Sequence, residues 1–309
     1  MAALGEDFSY PYLMGTSGAA FRVQMHQPNW CPSAACAPCG YDCVPVAMAV
    51  TGYRLTWSDT QRNGKPLPEG VTKARPAIAD SITRGIPVIF GSEVSGLVVG
   101  YCADGKRILR GYEHHPDGYV DTDDWSWETG IIEPYDLPMD RRQAVVSSLR
   151  LALTLARTDR FGNYLSGFAA LEHWTDALLD DSRFSRLTKD DWFPIAHGNG
   201  YCYPCLWSAR LNAERYLREV APIFDMSIQS KLLELAGLYR KMHEILSQTR
   251  PEFDCVWSLQ PWMLKSPENW TSAIRRKESA LLREVLAIER EAITRIEAIL
   301  PLVETAKPS

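Results

Sequence analysis

From residue 140 to the C-terminus, apolar side chains recur every third and fourth position in the runs 144–155, 165–179, 206–220, 228–246 and 274–300. That period places them on one stripe of a helix, and a striped helix must bury its stripe against another. The second half is therefore expected to be an α-helical bundle. In its last run Glu278, Arg283, Glu284, Glu289, Arg290, Glu291 and Arg295 read as one broad solvated face with local ion pairs. Before residue 140 the texture changes to frequent glycine, proline and aromatics with short β-rich runs at 86–90, 96–102 and 107–110. Asp104-Gly105 between the last two is a hairpin signal. The expectation is an α+β protein with an α/β domain at 1–139, its sheet mixed or antiparallel, and a helical domain at 140–309. No internal repeat points to a solenoid.

A chain of 309 residues with 46% hydrophobic content can bury a full core. A net charge of −5, a pI near 5.8 and scattered basic residues argue against a nucleic-acid groove or an anionic membrane surface. The expected partner is a small molecule, and a homodimer is compatible with the composition. The first residues carry neither a basic nor an apolar leader region, and no run of about 18 apolar residues occurs, so a cytoplasmic location is expected. Cysteines there are kept reduced, and clustered thiols then read as metal-binding, catalytic or redox-sensing.

Six of the eight cysteines are clustered, at Cys31, Cys36, Cys39 and Cys43 and again at Cys202 and Cys205, while Cys102 and Cys255 stand alone. Cys36-Ala-Pro-Cys39 and Cys202-Tyr-Pro-Cys205 have the Cys-x-x-Cys bite, and two such pairs meeting make a tetrahedral thiolate site for zinc or another soft ion. Cys31, Cys43, His26 and His197 are further ligand candidates. The same pairs can instead form disulfides reversibly, which is the reading of a redox-responsive interaction module.

Cys43 has a second chemistry open to it. Asp42-Cys43-Val44-Pro45 reads as a helix start that Gly52 ends, and a thiol at a helix N-terminus is activated by the dipole and by free N–H groups. Its base would come from Tyr112-Glu-His-His-Pro116: His114 or His115, oriented by Glu113 or Asp117. Gly15-Thr-Ser-Gly-Ala-Ala-Phe-Arg22 suits a carboxylate grip through Ser17 and Arg22, and Trp30 beside Cys31 suits a substrate slot.

Residues 7–22, from Asp7-Phe-Ser-Tyr-Pro-Tyr to Ala-Phe-Arg22, resemble a bacterial family related to the N-terminal domain of the butirosin-biosynthesis acyltransferase. Gly85-Ile-Pro-Val-Ile-Phe90, Leu97-Val-Val-Gly-Tyr-Cys102 and Trp125 resemble its strand pair, and residues 207–219 the helix of its all-α extension. The resemblance implies a fold like that of the papain-like peptidases that remove double-glycine leaders. It also implies a Cys–His pair that acts through a thioester. Residues 1–5 read as the tail of the family's first helix, so its cysteine would lie upstream of Met1. The strand head offers Glu93-Val-Ser-Gly and no histidine. The resulting expectation is a degenerate member, a cysteine hydrolase or acyltransferase for a small amide, thioester or amino-acid-derived metabolite. Cys43 attacks, His114 accepts the proton with Glu113 behind it, and Ser17, Arg22, Trp30, Cys31 and Glu93 bind substrate. The alternative is a non-catalytic protein in which Cys36, Cys39, Cys202 and Cys205 hold zinc.

Overall fold

The structure, a computed structural model, describes residues 4–91, 96–102, 106–111, 118–250, 255–256 and 258–306. The chain is mixed helix and sheet, with a helical C-terminal region. It divides into two units, Met1–Phe8 with Met48–Pro138, and Ser9–Ala47 with Met139–Ser309. Residues 9–47, expected within the α/β half, thus group with the helices.

That early segment contains α1 (Tyr10–Thr16), the short strand β1 (Gln24–His26), a 3-10 turn over Pro32–Ala35 and the start of α2 (Val44–Thr51). Ser9 caps α1 by accepting the Tyr12 N–H at 2.9 Å, and Pro11 sits in the first turn where its missing donor costs nothing. The helix α2 stops at Gly52, whose φ of +78° is a backbone state that glycine takes cheaply.

The first unit continues through β2 (Tyr53–Asp59), the small hairpin β3 (Gln61–Arg62) and β4 (Lys65–Pro66), and α3 (Pro68–Thr83). It then runs through β5 (Val88–Gly91), β6 (Gly96–Tyr101), β7 (Arg107–Gly111), β8 (Val120–Thr122) and β9 (Glu128–Pro134). Six of these strands form one sheet in the order β2-β9-β5-β6-β7-β8, antiparallel at each pairing. The expected hairpin of β6 and β7 is present, Tyr101 facing Arg107, while its Asp104-Gly105 tip lies outside the described residues. One face of the sheet is covered by α3: Ala74 and Ile78 pack with Val88, Val98, Trp125 and Ile131 in a single buried cluster. Burying a side chain of this kind stabilises the unit by about 1.5–3 kcal/mol each.

The second unit resumes with α4 (Arg141–Arg157), β10 (Arg160–Phe161), β11 (Tyr164–Ser166), α5 (Gly167–Leu179) and α6 (Asp181–Ser185). It ends with α7 (Lys189–Val220), α8 (Met226–Leu246), the pair β12 (Thr249–Arg250) and β13 (Cys255–Val256), α9 (Pro261–Leu264) and α10 (Ser272–Thr305). The strand β1 pairs antiparallel with β11, which also pairs with β10. Polar caps open the long helices: Asp140 on α4, a Thr188–Asp191 capping box on α7, Asp225 on α8 and Thr271 on α10. Leu232, Leu235, Tyr239, Leu282 and Val285 are fully buried where α8 and α10 meet.

Two expectations for this unit change. The helix α7 begins seventeen residues before its visible apolar run, at Lys189, and carries Pro194 and Pro204 inside it. Packing overrides the weak propensity of these residues. In α10, Glu278 and Glu289 are buried, so they do not belong to the solvated face. Glu289 pairs with the fully buried Arg210 of α7 at 2.9 Å, and Glu278 accepts an Asn199 side-chain N–H at 2.8 Å. The other charges follow the expectation, as in the exposed pairs Arg283–Asp176 at 3.1 Å and Arg295–Glu291 at 2.7 Å. Among the described residues no helix is long and apolar enough to cross a membrane.

Candidate functional site

The first cysteine group lies on an irregular loop between β1 and α2, and the loop is fixed by side chains from the strand that precedes it. Arg22 spreads its guanidinium over four carbonyls: Nη1 donates to Ala37 O at 3.2 Å and Tyr41 O at 3.0 Å, and Nη2 to Ala35 O at 3.2 Å and Cys36 O at 3.0 Å. Two residues on, Gln24 donates to Cys39 O at 3.0 Å and accepts the Tyr41 N–H at 2.8 Å. Only a planar fork can answer so many carbonyls in one place. The carboxylate-gripping role expected of Arg22 therefore gives way to a clamp on the cysteine loop.

The loop is also held against α7. A Cβ on Gly198 would stand 1.4 Å from the Trp30 carbonyl oxygen, so the loop crosses this helix where no side chain intervenes. Trp30 itself is buried, with its indole N–H directed at His173 Nε2 at 3.4 Å and Arg183 4.8 Å from its ring. It builds the core and lines no open slot. Ser17 is likewise buried, and its hydroxyl is used within its own turn, donating to Met14 O at 3.3 Å and accepting Ala19 N–H at 3.4 Å.

In α7, Cys202 and Cys205 are three residues apart and so share a helix face. Cys202 is buried and Cys205 exposed. Together with Cys43, Arg22, Gln24 and Tyr10 they line a cavity of about 220 Å³ within the second unit. Ala35 and Ala37, on either side of Cys36, line the same cavity. Tyr164 shares a 2.9 Å hydrogen bond with Ser33 of the cysteine loop through its hydroxyl. The backbone of the cysteine loop thus meets α7 at the cavity that Cys202 and Cys205 line. Among the described residues, however, no three His, Cys, Asp or Glu side chains already stand in a metal-binding arrangement.

Desolvation and the neighbouring thiol Cys39 push Cys36 up to about 11. Burial pushes Cys202 up further in the same direction, and Cys205 adds to it. Cys43 is raised by burial, with Arg22 opposing. These are protonated thiols at neutral pH, and the one cation near them, among the described residues, is already engaged by carbonyls.

Cys43 stands directly before α2, donates weakly to Tyr41 O at 3.9 Å, and accepts the Ala47 N–H through its carbonyl at 3.0 Å. Its expected partners Glu113 and His114, the alternates His115 and Asp117, and Glu93 lie outside the described residues. Cys31 is half-buried at the start of the 3-10 turn. His26 packs edge-on to Tyr164 at 5.1 Å, whereas His197 sits in an aromatic group with Phe193, Tyr201 and Trp262. The residues missed by sequence reading are Gln24, Ser33, Tyr164 and Gly198. The strand that carries or pairs with two of them is only three residues long, too short for a period to show. No protein-family model matches the chain, and no curated protein matches it in sequence.

Proposed function

We propose that the second unit is a thiol centre that binds a soft metal ion, zinc being the first choice, between Cys36 and Cys39 of the loop and Cys202 and Cys205 of α7. The observation that carries this reading is that Ala35 and Ala37, flanking Cys36, share a cavity wall with Cys202 and Cys205 despite their separation in sequence. Donor type and number suit a tetrahedral thiolate site, in which sulfur binds the ion at about 2.3 Å. The sulfurs must draw together to reach it, and binding would release thiol protons. Bound there, the ion would tie the loop to the helix and add its binding energy to the stability of the unit.

The test is elemental analysis of protein purified without added metal, alongside a variant with serine at all four positions. About one equivalent of zinc or a similar ion, lost in the variant and removed by chelator with a fall in Tm, is the expected result. Metal-free protein that takes up no added zinc overturns it.

A second reading rests on one observation, Cys43 at the head of α2 and on the cavity wall. In that reading the papain-like resemblance holds, and Cys43 is the nucleophile of an acyl transfer. Rapid loss of one thiol to iodoacetamide at neutral pH, mapped to Cys43, would favour it over the metal centre.

A further inference from the structure

The first unit holds a buried cation that makes no ion pair with a carboxylate of the described residues. Arg107 projects from β7 and is 4% exposed. One of its Nη groups donates to the Asp124 carbonyl, and its guanidinium lies 3.9 Å from the Trp125 ring centre. Its Nε is buried without a hydrogen-bond partner. On the same indole, Arg75 of α3 stands 5.3 Å from the ring centre, exposed to solvent. Among the described residues neither arginine makes an ion pair with a carboxylate; Asp123 and Asp124 act on Arg107 only at a distance.

A guanidinium taken out of water with a donor unanswered is costly, and a second cation beside it adds repulsion. Desolvation first, and Arg75 second, accordingly lower the affinity of Arg107 for its proton. Such an arrangement is relieved by an oxyanion. The two arginines border a cavity of about 140 Å³, whose other walls are Ile78, Ala79, Tyr101 and Trp125. Its small volume excludes drug-sized ligands, which need roughly 300 Å³ or more. One end of the cavity offers planar donors and the remainder offers aliphatic and aromatic carbon.

We propose that this cavity binds a small organic carboxylate, its carboxylate held by Arg107 and Arg75 and its apolar body laid along Ile78, Ala79 and Tyr101. The guanidinium fork matches a carboxylate in two parallel hydrogen bonds, which is why a headgroup of this shape is chosen. The site lies wholly in the first unit and is independent of the thiol centre.

Titration calorimetry of the full chain at low ionic strength tests it, with benzoate as probe, and with benzamide and inorganic phosphate as controls. Benzoate should bind saturably at one site, benzamide should bind at least about tenfold more weakly for lack of charge, and phosphate likewise for lack of an apolar body. Arg75→Gln, at an exposed position that the fold tolerates, should weaken benzoate about tenfold, and Arg107→Lys should do so by keeping the charge but losing the fork. If Arg107→Lys fails to fold, Arg75→Gln and benzamide still decide. No saturable benzoate binding, equal binding of benzamide or phosphate, or an unchanged affinity in Arg75→Gln would each overturn the proposal.

Discussion

Arg22 carries the order of the cysteine loop, and its replacement by alanine removes four hydrogen bonds of 3.0–3.2 Å to backbone carbonyls. Two of the four are part-buried and two are solvent-exposed. A hydrogen bond from a charged donor contributes about 1.5 kcal/mol at the low end when partly shielded, and about 0.5 kcal/mol when water competes freely. The sum is about 4 kcal/mol as an upper figure, and about 3 kcal/mol once the freed carbonyls recover water. That free energy belongs to the local ordering of residues 35–43, since the helices behind the loop keep their own packing. At 1.36 kcal/mol per factor of ten, opening of the loop should become roughly 100-fold more frequent. The Cys43 amide, which donates to Ala37 O at 3.1 Å, and the Tyr41 amide report it directly by hydrogen exchange. Zinc affinity should fall by a factor of the same order, because the ion would have to order the loop itself. Arg22→Lys should recover little, since an ammonium cannot span four carbonyls. Unchanged exchange at both amides in Arg22→Ala, in a protein of normal helix content, would refute the clamp.

Glu289→Gln leaves Arg210 buried and uncompensated, and breaking such a pair typically costs about 3–5 kcal/mol; calorimetry should show Tm lower by roughly 10 °C. Cys43, raised by burial, should react with iodoacetamide in the native protein more slowly than a free thiol at pH 7, and at the normal rate in denaturant. The same shift fixes a pH trend. A thiol whose pKa is higher folded than unfolded gives stability that is complete below the unfolded value of about 8.5 and declines as pH rises past it, which denaturant titrations between pH 7 and 10 will measure. Constant stability across that range would contradict the burial of Cys43.

The bundle was legible because α4, α8 and α10 each carry a long apolar stripe and a polar cap at a readable position. The strands at 86–101 were legible from β-branched runs that the sheet buries on one face. What escaped reading was long-range. Pro194, Gly198 and Pro204 are poor helix residues, and the close approach of Trp30 that calls for a glycine at 198 is visible only in the fold. Glu278 and Glu289 fit the spacing of a solvated face, and their burial depends on Asn199 and Arg210 from another helix. Arg22 was recognised as a binder of oxygen atoms, but the oxygens are carbonyls of its own chain. Which thiols meet was readable only as a condition, because spacing within a pair says nothing about distance between pairs.

The 48–138 segment of the first unit begins and ends at one point. Its first and last strands, β2 and β9, pair from Tyr53 and Pro134 onward, and the amides of Tyr135 and Asp136 both donate to Gly52 O, at 2.9 and 3.0 Å. That segment therefore interrupts the second unit in sequence, and more than half of the residues between Cys43 and Cys202 belong to it. During synthesis the loop cysteines emerge first, and α7 follows on the order of ten seconds later at ordinary elongation rates. For that interval the loop's thiols have no helix to rest on, so a thiol centre of the kind proposed could close only after that sheet has been made.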